Sequence, residues 1–295
     1  MGFDLTHARH ASSVCLAPGL FRSLKRGERK RQKLDVTYRH GEFECLRFVG
    51  FEPLGADDMR LLQVLVALAG PSGVILSADP SADLPKQLRS LLAPRFAAVN
   101  QDGLVVRTSI TRLLKEAGLS DGGENVRAAK ASLLRLSNVT VTVTRGAVQA
   151  SFHLMSHAFD ESDGRLNACL NPSLADAVLG RRQHTYIDLA EVRAISSDPA
   201  RLIHQRLCGW VDQGATRRVE LGTLCSYVWP ETTTNAHALK KRCQSVRQAL
   251  AELRGLGWRF DEYGGQKYEV FRPARTKKGS VVTVSHVRSN GIQAP

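Results

Sequence analysis

The spacing of apolar residues over 236–254 is that of one helix face. Five of them recur at alternating distances of four and three residues: Leu239, Cys243, Val246, Leu250 and Leu253. Apolar residues at this period form a stripe that packs against a protein core, and the opposite face meets solvent or a partner. Gly255 or Gly257 ends the pattern. We therefore predict a long amphipathic helix over 236–254.

A second helix with an apolar stripe is predicted over 124–136. Its inner positions are Val126, Ala129, Leu133 and Leu136. Around each of the two helices, alternating and helical patterns predict the same order of elements. In the first half these are helices 59–69, 110–117 and 124–136 and strands 104–107, 139–144 and 148–155; in the second half they are helices 200–211, 221–228 and 236–254 and strands 217–220, 258–263 and 267–272. A helix-turn-helix followed by a two-stranded hairpin is the order of a winged helix.

These patterns predict an α+β protein with two winged-helix domains in tandem. Further strands are predicted over 34–38, 43–49, 165–170 and 184–189, with a short helix over 86–92. The predicted division is a basic N-terminal arm with the first strand (1–40), the first winged-helix domain (41–160), a linker segment with the second winged-helix domain (161–272) and a basic flexible tail (273–295).

Positive charge is concentrated at the two ends of the chain. The 295 residues carry 41 Lys and Arg against 28 Asp and Glu, a formal net charge of +13. Residues 1–40 account for +6 and residues 235–295 for +8, whereas the middle is close to neutral at −1. A basic surface made only for solubility would be more even. The distribution indicates a polyanionic partner, of which nucleic acid is the first candidate.

Several classes of protein are excluded by missing patterns. No apolar run is long enough for a transmembrane helix, and the N-terminus lacks a signal-peptide pattern, so a cytoplasmic protein is expected. The six cysteines are scattered without Cys-x-x-Cys, so we expect reduced thiols, no metal site and no cofactor. The sequence has no P-loop, no His-x-His pair and no Gly-x-Ser-x-Gly. We therefore expect no enzymatic activity; a primase or nicking enzyme is the alternative.

The polar face of the predicted helix 236–254 is the main candidate for DNA contact. It holds Lys240, Lys241, Arg242, Gln244, Ser245, Arg247 and Gln248. Lys and Arg reach phosphates or guanine, and Gln can pair with adenine. The alternative is an ordinary solvated face, but such a face usually mixes Glu with Lys, and here no acid occurs before Glu252. We predict that this is a recognition helix.

Three further groups of residues are predicted to contact DNA. They are Arg127, Lys130 and Arg135 on helix 124–136, Lys267 beside the turn of the second hairpin, and Arg26, Arg29, Lys30, Arg31 and Lys33 of the basic run, which covers Arg22–Lys33. The hairpin is also consistent with a plain turn, which its glycines explain. The basic run is also consistent with a solvated segment or a surface between domains.

Several strings of residues resemble the RepC replication initiators of IncQ-type plasmids. They are Cys15-Leu-Ala-Pro-Gly-Leu-Phe-Arg22, Leu24-Lys-Arg-Gly-Glu-Arg-Lys-Arg31, Lys33-Leu-Asp-Val-Thr-Tyr38, Glu52-Pro-Leu-Gly-Ala-Asp-Asp58, Asp163-Gly-Arg-Leu166, Leu207-Cys-Gly-Trp210, Thr223-Leu-Cys225 and Tyr227-Val-Trp-Pro230. Long strings in matched order over residues 7 to 272 are more specific than any short motif.

The resemblance implies a sequence-specific initiator that binds tandem direct repeats, called iterons, at a plasmid origin. It implies opening of an adjacent AT-rich region, after which a separate plasmid helicase and primase act, and it implies two winged-helix domains. Related initiators can form homodimers and repress their own operons. The alternative function is a winged-helix transcriptional repressor, which would prefer an operator palindrome to direct repeats.

Overall fold

The computed structural model describes residues 5–25, 27–41, 43–76, 79, 83–92 and 102–274. In the first half the elements are β1 (His7–Ala11), α1 (Ser12–Cys15), β2 (Leu34–His40), β3 (Phe43–Gly50), α2 (Ala56–Ser72), β4 (Gly73–Leu76), α3 (Asp83–Leu92), β5 (Gly103–Ser109), α4 (Ile110–Glu116), α5 (Gly123–Ser137), β6 (Thr140–Arg145), β7 (Val148–His153), β8 (Met155–Phe159) and β9 (Arg165–Leu170). In the second half they are α6 (Pro172–Val178), β10 (His184–Asp188), α7 (Leu189–Ala194), α8 (Asp198–Trp210), β11 (Thr216–Glu220), α9 (Leu221–Val228), α10 (Ala236–Arg254), β12 (Arg259–Tyr263) and β13 (Lys267–Phe271).

Both predicted helix-turn-helix and hairpin units are present. In the first, α4 and α5 precede the β6–β7 hairpin, which β3 and β2 extend into a sheet of order β2-β3-β6-β7. In the second, α8, α9 and α10 precede the β12–β13 hairpin, and β11 completes a sheet of order β11-β13-β12. All strand pairs in these sheets are antiparallel. The fold is therefore two winged helices in tandem, as predicted.

Side-chain caps explain where several helices begin. Ser109 accepts a hydrogen bond from the backbone of Arg112 at the start of α4, and Asn235 accepts one from Ala238 at the start of α10. Such caps satisfy backbone donors that a helix start leaves unpaired. The predicted end of helix 59–69 is wrong, because α2 continues to Ser72. Pro71 lies in its last turn and has no backbone N–H for the helical bond to the residue four positions earlier, which favours the end of the helix soon after it.

The two units share one hydrophobic core. Helix α2 is buried along most of its length and packs against β1, α5 and α8. Its Gln63 side chain donates a 2.8 Å hydrogen bond to the side chain of Gln205 on α8, and both residues are buried. A buried amide pair must keep its partner, so this bond fixes how α8 packs on α2.

Residues 5–21 are built into this core, so the described part of residues 1–40 is not a free arm. Strand β1 pairs with β10, and Phe21 forms a bridge with Leu54. The backbone N–H of Ser23 donates to the carbonyl of Val228, in the second unit. Charge identified this segment in the sequence, but its interspersed apolar side chains decide where it packs. This N-terminal segment therefore contacts both winged-helix units.

The sheet of order β4-β5-β9-β8 crosses the predicted boundary between residues 160 and 161. Strand β9 pairs with β8 on one side and with β5 on the other. A linker beginning at residue 161 is therefore incorrect for 165–170, which belong to a sheet of the first half. The sequence pattern found β9 but could not reveal its partners, because strand pairing is a long-range property.

None of the helices in the described ranges has the length and apolarity needed to cross a membrane.

The buried His10 predicts an acid-sensitive stability. Burial lowers the pKa of His10 to about 4. As the pH falls, His10 is protonated in the unfolded chain before it is protonated in the folded protein. The contribution of neutral His10 to the free energy of unfolding is therefore complete above about pH 6.5 and is lost as the pH falls towards 4. We expect urea unfolding to show a decrease of up to about 3 kcal/mol over that range. His10→Gln should flatten this part of the profile, and an unchanged profile would contradict the assignment.

Candidate nucleic-acid interface

Helix α10 is held by one apolar stripe in its second half. Val246, Ala249, Leu250 and Leu253 are buried where α10 packs on α8 and α9. Cys243 is partly buried, but Leu239 is 47% exposed although the pattern placed it on the inner face. The first turns of α10 are exposed on nearly every side, so they project beyond the core. A projecting helix start is the geometry that lets a recognition helix enter a groove.

The outer face of α10 presents unpaired polar groups. Lys240, Lys241, Gln244 and Gln248 are exposed, and Ser245 is partly exposed. Within the described part of the chain, neither lysine forms an ion pair. No acidic residue occurs on α10 before Glu252. This face therefore has the donors and charge for a DNA backbone and base edges, and no ion pair among the described residues neutralises its lysines.

Two arginines of the predicted set are partly engaged within the protein. Arg242 Nη1 donates to the carbonyl of Glu231 at 2.6 Å, and its guanidinium lies over the ring of Trp229. A hydrogen bond with the hydroxyl of Tyr268 raises the pKa of Arg247. These contacts tie α10 to the preceding loop and to the wing. Both side chains retain exposure and remain candidates for phosphate contact.

The far end of α10 is anchored by Glu252. Its carboxylate accepts hydrogen bonds from the backbone N–H and the hydroxyl of both Ser196 and Ser197. Ser197 is also the N-cap of α8. One carboxylate therefore fixes the recognition helix to the start of α8, so the exposed face is carried on a rigid support.

The β12–β13 hairpin, which is the wing of the second unit, has a tight turn at its tip. Gly264, Gly265 and Gln266 have φ values of 55°, 64° and 63°, a left-handed region in which glycine is favoured. Lys267 follows this turn, is exposed, and lies 3.7 Å from Glu220. An exposed pair at this distance is weak, so the ammonium group can exchange Glu220 for a phosphate.

In the first unit, the three predicted residues of α5 have different surroundings. Arg127 is exposed. The Lys130 ammonium contacts the Glu161 carboxylate at 2.8 Å and lies 4.3 Å from the centre of the Phe159 ring. Arg135 points away from solvent and binds Asp58 through Nε at 3.0 Å and Nη2 at 2.8 Å. Arg127 is therefore the most available of the three for DNA.

Asp58 at the start of α2 is a buried centre of charge pairing. Besides Arg135, it accepts hydrogen bonds from Arg29 Nη1 at 2.8 Å, Ser132 Oγ at 2.6 Å and the backbone of Gly55 at 2.7 Å. Burial alone would raise the pKa of Asp58, but these partners outweigh it and hold the pKa below its usual range. Arg29 and Arg135 therefore stabilise the first unit, and we leave them out of the DNA contacts proposed below.

The basic run lies next to the start of α10. Arg22 forms an ion pair with the carboxylate of Glu231, whose carbonyl binds Arg242. Beyond this anchor, Lys30, Arg31 and Lys33 are exposed and form no ion pair in the described ranges. Arg26 and residues 275–295 of the predicted tail lie outside the described residues. The sequence did not single out Glu231, because its partner Arg22 lies 209 positions away in the chain.

A comparison with known protein families matches the chain to replication proteins. The profile of the family described as Replication protein C (RepC) matches residues 2–274. No curated protein matches the chain by sequence.

Three solved structures align with most of the chain. A selenomethionine crystal structure of domains 2 and 3 of RctB aligns with a TM-score of 0.52 at 11% identity, over 90% of this chain and 99% of that one. A second RctB structure of the same domains gives 0.50 at 12% identity, over 88% and 95%. The Pi initiator protein in complex with iteron DNA gives 0.42 at 12% identity, over 68% and 97%. The likeness to RctB shows a shared fold.

Proposed function

Because the chain belongs to the replication protein C (RepC) family, we propose that it initiates plasmid replication by binding iteron direct repeats at the origin. The observation that carries this proposal is the outer face of α10. Two lysines and two glutamines are exposed there with no acidic residue on α10 before Glu252, and Arg242 and Glu252 tie the helix to neighbouring segments. Such a face combines phosphate contact with the capacity to read base edges.

The first unit and the basic run extend the interface in this proposal. The two winged helices place α5 and α10 in successive major grooves on one face of a repeat. Eight cations with exposed or partly exposed side chains then contribute phosphate contacts: Lys30, Arg31, Lys33, Arg127, Lys240, Arg242, Arg247 and Lys267. The bond between Arg22 and Glu231 supports this arrangement, since it holds the basic run beside α10.

Salt dependence measures the number of phosphate contacts. With about eight contacts, the observed binding constant should fall with a log–log slope near −7, because each neutralised phosphate releases counterions. Fluorescence anisotropy of a labelled repeat at increasing salt concentrations gives this slope. A slope shallower than about −3 would contradict the two-groove arrangement.

Binding energy supplies the subsequent opening step in this proposal. Several chains on adjacent repeats bend the duplex, and pyrimidine–purine steps in an AT-rich neighbour unstack most easily. The opened region is then available to a plasmid helicase and primase. No chemical step by this chain is required. Association of two copies is part of the proposal only as an expected property of related initiators.

Footprinting on the origin of the chain's own plasmid tests the function. The purified protein, without added nucleotide, is expected to protect tandem direct repeats at regular spacing. Permanganate reactivity in the adjacent AT-rich segment should rise at saturation, since unstacked thymines become accessible. Protection confined to a promoter palindrome would overturn the initiator function and favour transcriptional repression.

A further inference from the structure

Three side chains with metal-binding atoms meet beside Trp258. Glu191 lies on α7, whereas His204 and Cys208 lie one helical turn apart on α8. Their ligand atoms all lie within 4.8 Å of one another. His204 Nε2 is 2.6 Å from Glu191 Oε2 and 3.4 Å from Cys208 Sγ. The DNA interface proposed above uses none of these groups.

A single good hydrogen bond of His204 Nε2 accounts for one of these two contacts. An imidazole nitrogen carries either one proton or one lone pair, so Nε2 forms one good hydrogen bond. Here a carboxylate oxygen and a thiol sulfur both face the same nitrogen. A cation between the three atoms would bind all of them at once. Tetrahedral ligands of zinc lie about 3.2–3.7 Å apart, given metal–ligand distances of about 2.0–2.3 Å, so side-chain shifts below about 1 Å suffice.

We propose that Glu191, His204 and Cys208 bind one Zn²⁺ ion. A thiolate with an imidazole is a soft to borderline donor set, which favours zinc over Mg²⁺ or Ca²⁺. On binding, the Cys208 thiol and any protonated Nε2 release their protons to solvent, because the ligands bind the metal deprotonated. The expectation of no metal site rested on the missing Cys-x-x-Cys. The pair His204 and Cys208 has helical spacing instead.

The surroundings meet two further requirements of a zinc site. His204 and Cys208 are 1% and 4% exposed, but the Glu191 side chain is 21% exposed. Glu191 therefore leaves a path for the ion and room for water as the fourth ligand. The indole N–H of Trp258 lies 3.4 Å from Glu191 Oε2 and can orient that carboxylate. A bound ion would link α7 to α8 beside the first strand of the second wing.

Titration of the full chain with Co²⁺ tests the proposal. One equivalent should produce a thiolate-to-cobalt charge-transfer band, and Zn²⁺ should displace it and raise the melting temperature. Cys208→Ser should abolish the band and weaken Zn²⁺ binding by more than about 100-fold, a larger loss than removal of an outer-shell partner causes. The matched control Cys169→Ser, in β9, should keep both.

Either of two results would overturn the proposal. One is a wild-type chain without the thiolate band at micromolar Co²⁺, which requires no variant to interpret. The other is equal binding by folded Cys208→Ser and Cys169→Ser, with folding checked by circular dichroism. Neither measurement involves DNA, so its outcome is independent of the initiator function.

Discussion

Replacement of Asp58 by alanine is expected to lower the free energy of unfolding by about 3–5 kcal/mol. The change removes the carboxylate that lies 2.8 Å from the guanidinium of Arg135, whose side chain is 13% exposed, and leaves it the more distant carboxylate of Glu52 at 3.9 Å. It also removes the acceptor of Arg29, Ser132 and the backbone of Gly55. Breaking a buried charge pair costs far more than the net value of that pair, because one charge stays buried without its close partner. Urea unfolding followed by circular dichroism measures the loss.

The carboxylate of Asp58 also determines how the free energy of unfolding changes at acidic pH. The folded pKa of Asp58 lies below its unfolded value. Its contribution is therefore present above the unfolded pKa, near 4, and is lost as the pH falls through the lower folded value. Asp58→Ala should be destabilised at pH 7 but lose less additional stability than the wild type on acidification below pH 4.

The adjacent Asp57 provides the matched control. It is exposed at the same helix end, where a carboxylate contributes about 0.3–1 kcal/mol through the helix dipole. Asp57→Ala should therefore cost no more than about 1 kcal/mol. Equal losses of unfolding free energy for the two variants would show that Asp58 acts only through the helix dipole, as any acidic residue in the first turn does.

The helical periods predicted the second unit well because its apolar stripe is local. The predicted span 236–254 coincides with α10, and 221–228 coincides with α9. Strand β1 and helix α7 were missed, since each is short and packs through contacts far away in sequence. His7–Ala11 has no alternating pattern of its own. It becomes a strand because it pairs with β10, which lies far away in the sequence.

For the candidate site too, the sequence predicted what depends on neighbouring residues and did not predict contacts between distant ones. The polar face of α10 follows from helical spacing, and the structure leaves Lys240, Lys241, Gln244 and Gln248 exposed. The basic residues elsewhere could not be sorted by sequence into free and paired groups. Arg29 and Lys30 are neighbours in one charged run, yet only Arg29 reaches Asp58. Pairing depends on a carboxylate that α2 brings into position.

The double change Lys241→Ala and Gln248→Ala is expected to reduce discrimination between iteron and random DNA. Each base contact is worth about 1–3 kcal/mol, so the ratio of the two affinities should fall at least tenfold, by roughly 1.4 kcal/mol or more. Both side chains are exposed on α10, and neither forms a hydrogen bond or ion pair with another element in the described part of the chain. The variant should therefore keep the wild-type melting temperature. Anisotropy titrations with the repeat and a shuffled duplex measure the ratio.

The control removes cations that we assign to phosphates. Lys30→Ala plus Arg31→Ala should weaken binding to both duplexes by nearly the same factor and make the salt slope shallower by about 2, since two phosphate contacts are lost. Arg29 does not serve here, because its loss would also disturb Asp58. If the α10 variant and this control both gave a uniform loss, α10 would be a backbone-binding helix, and the sequence-reading residues would have to lie elsewhere, with α5 as the next candidate.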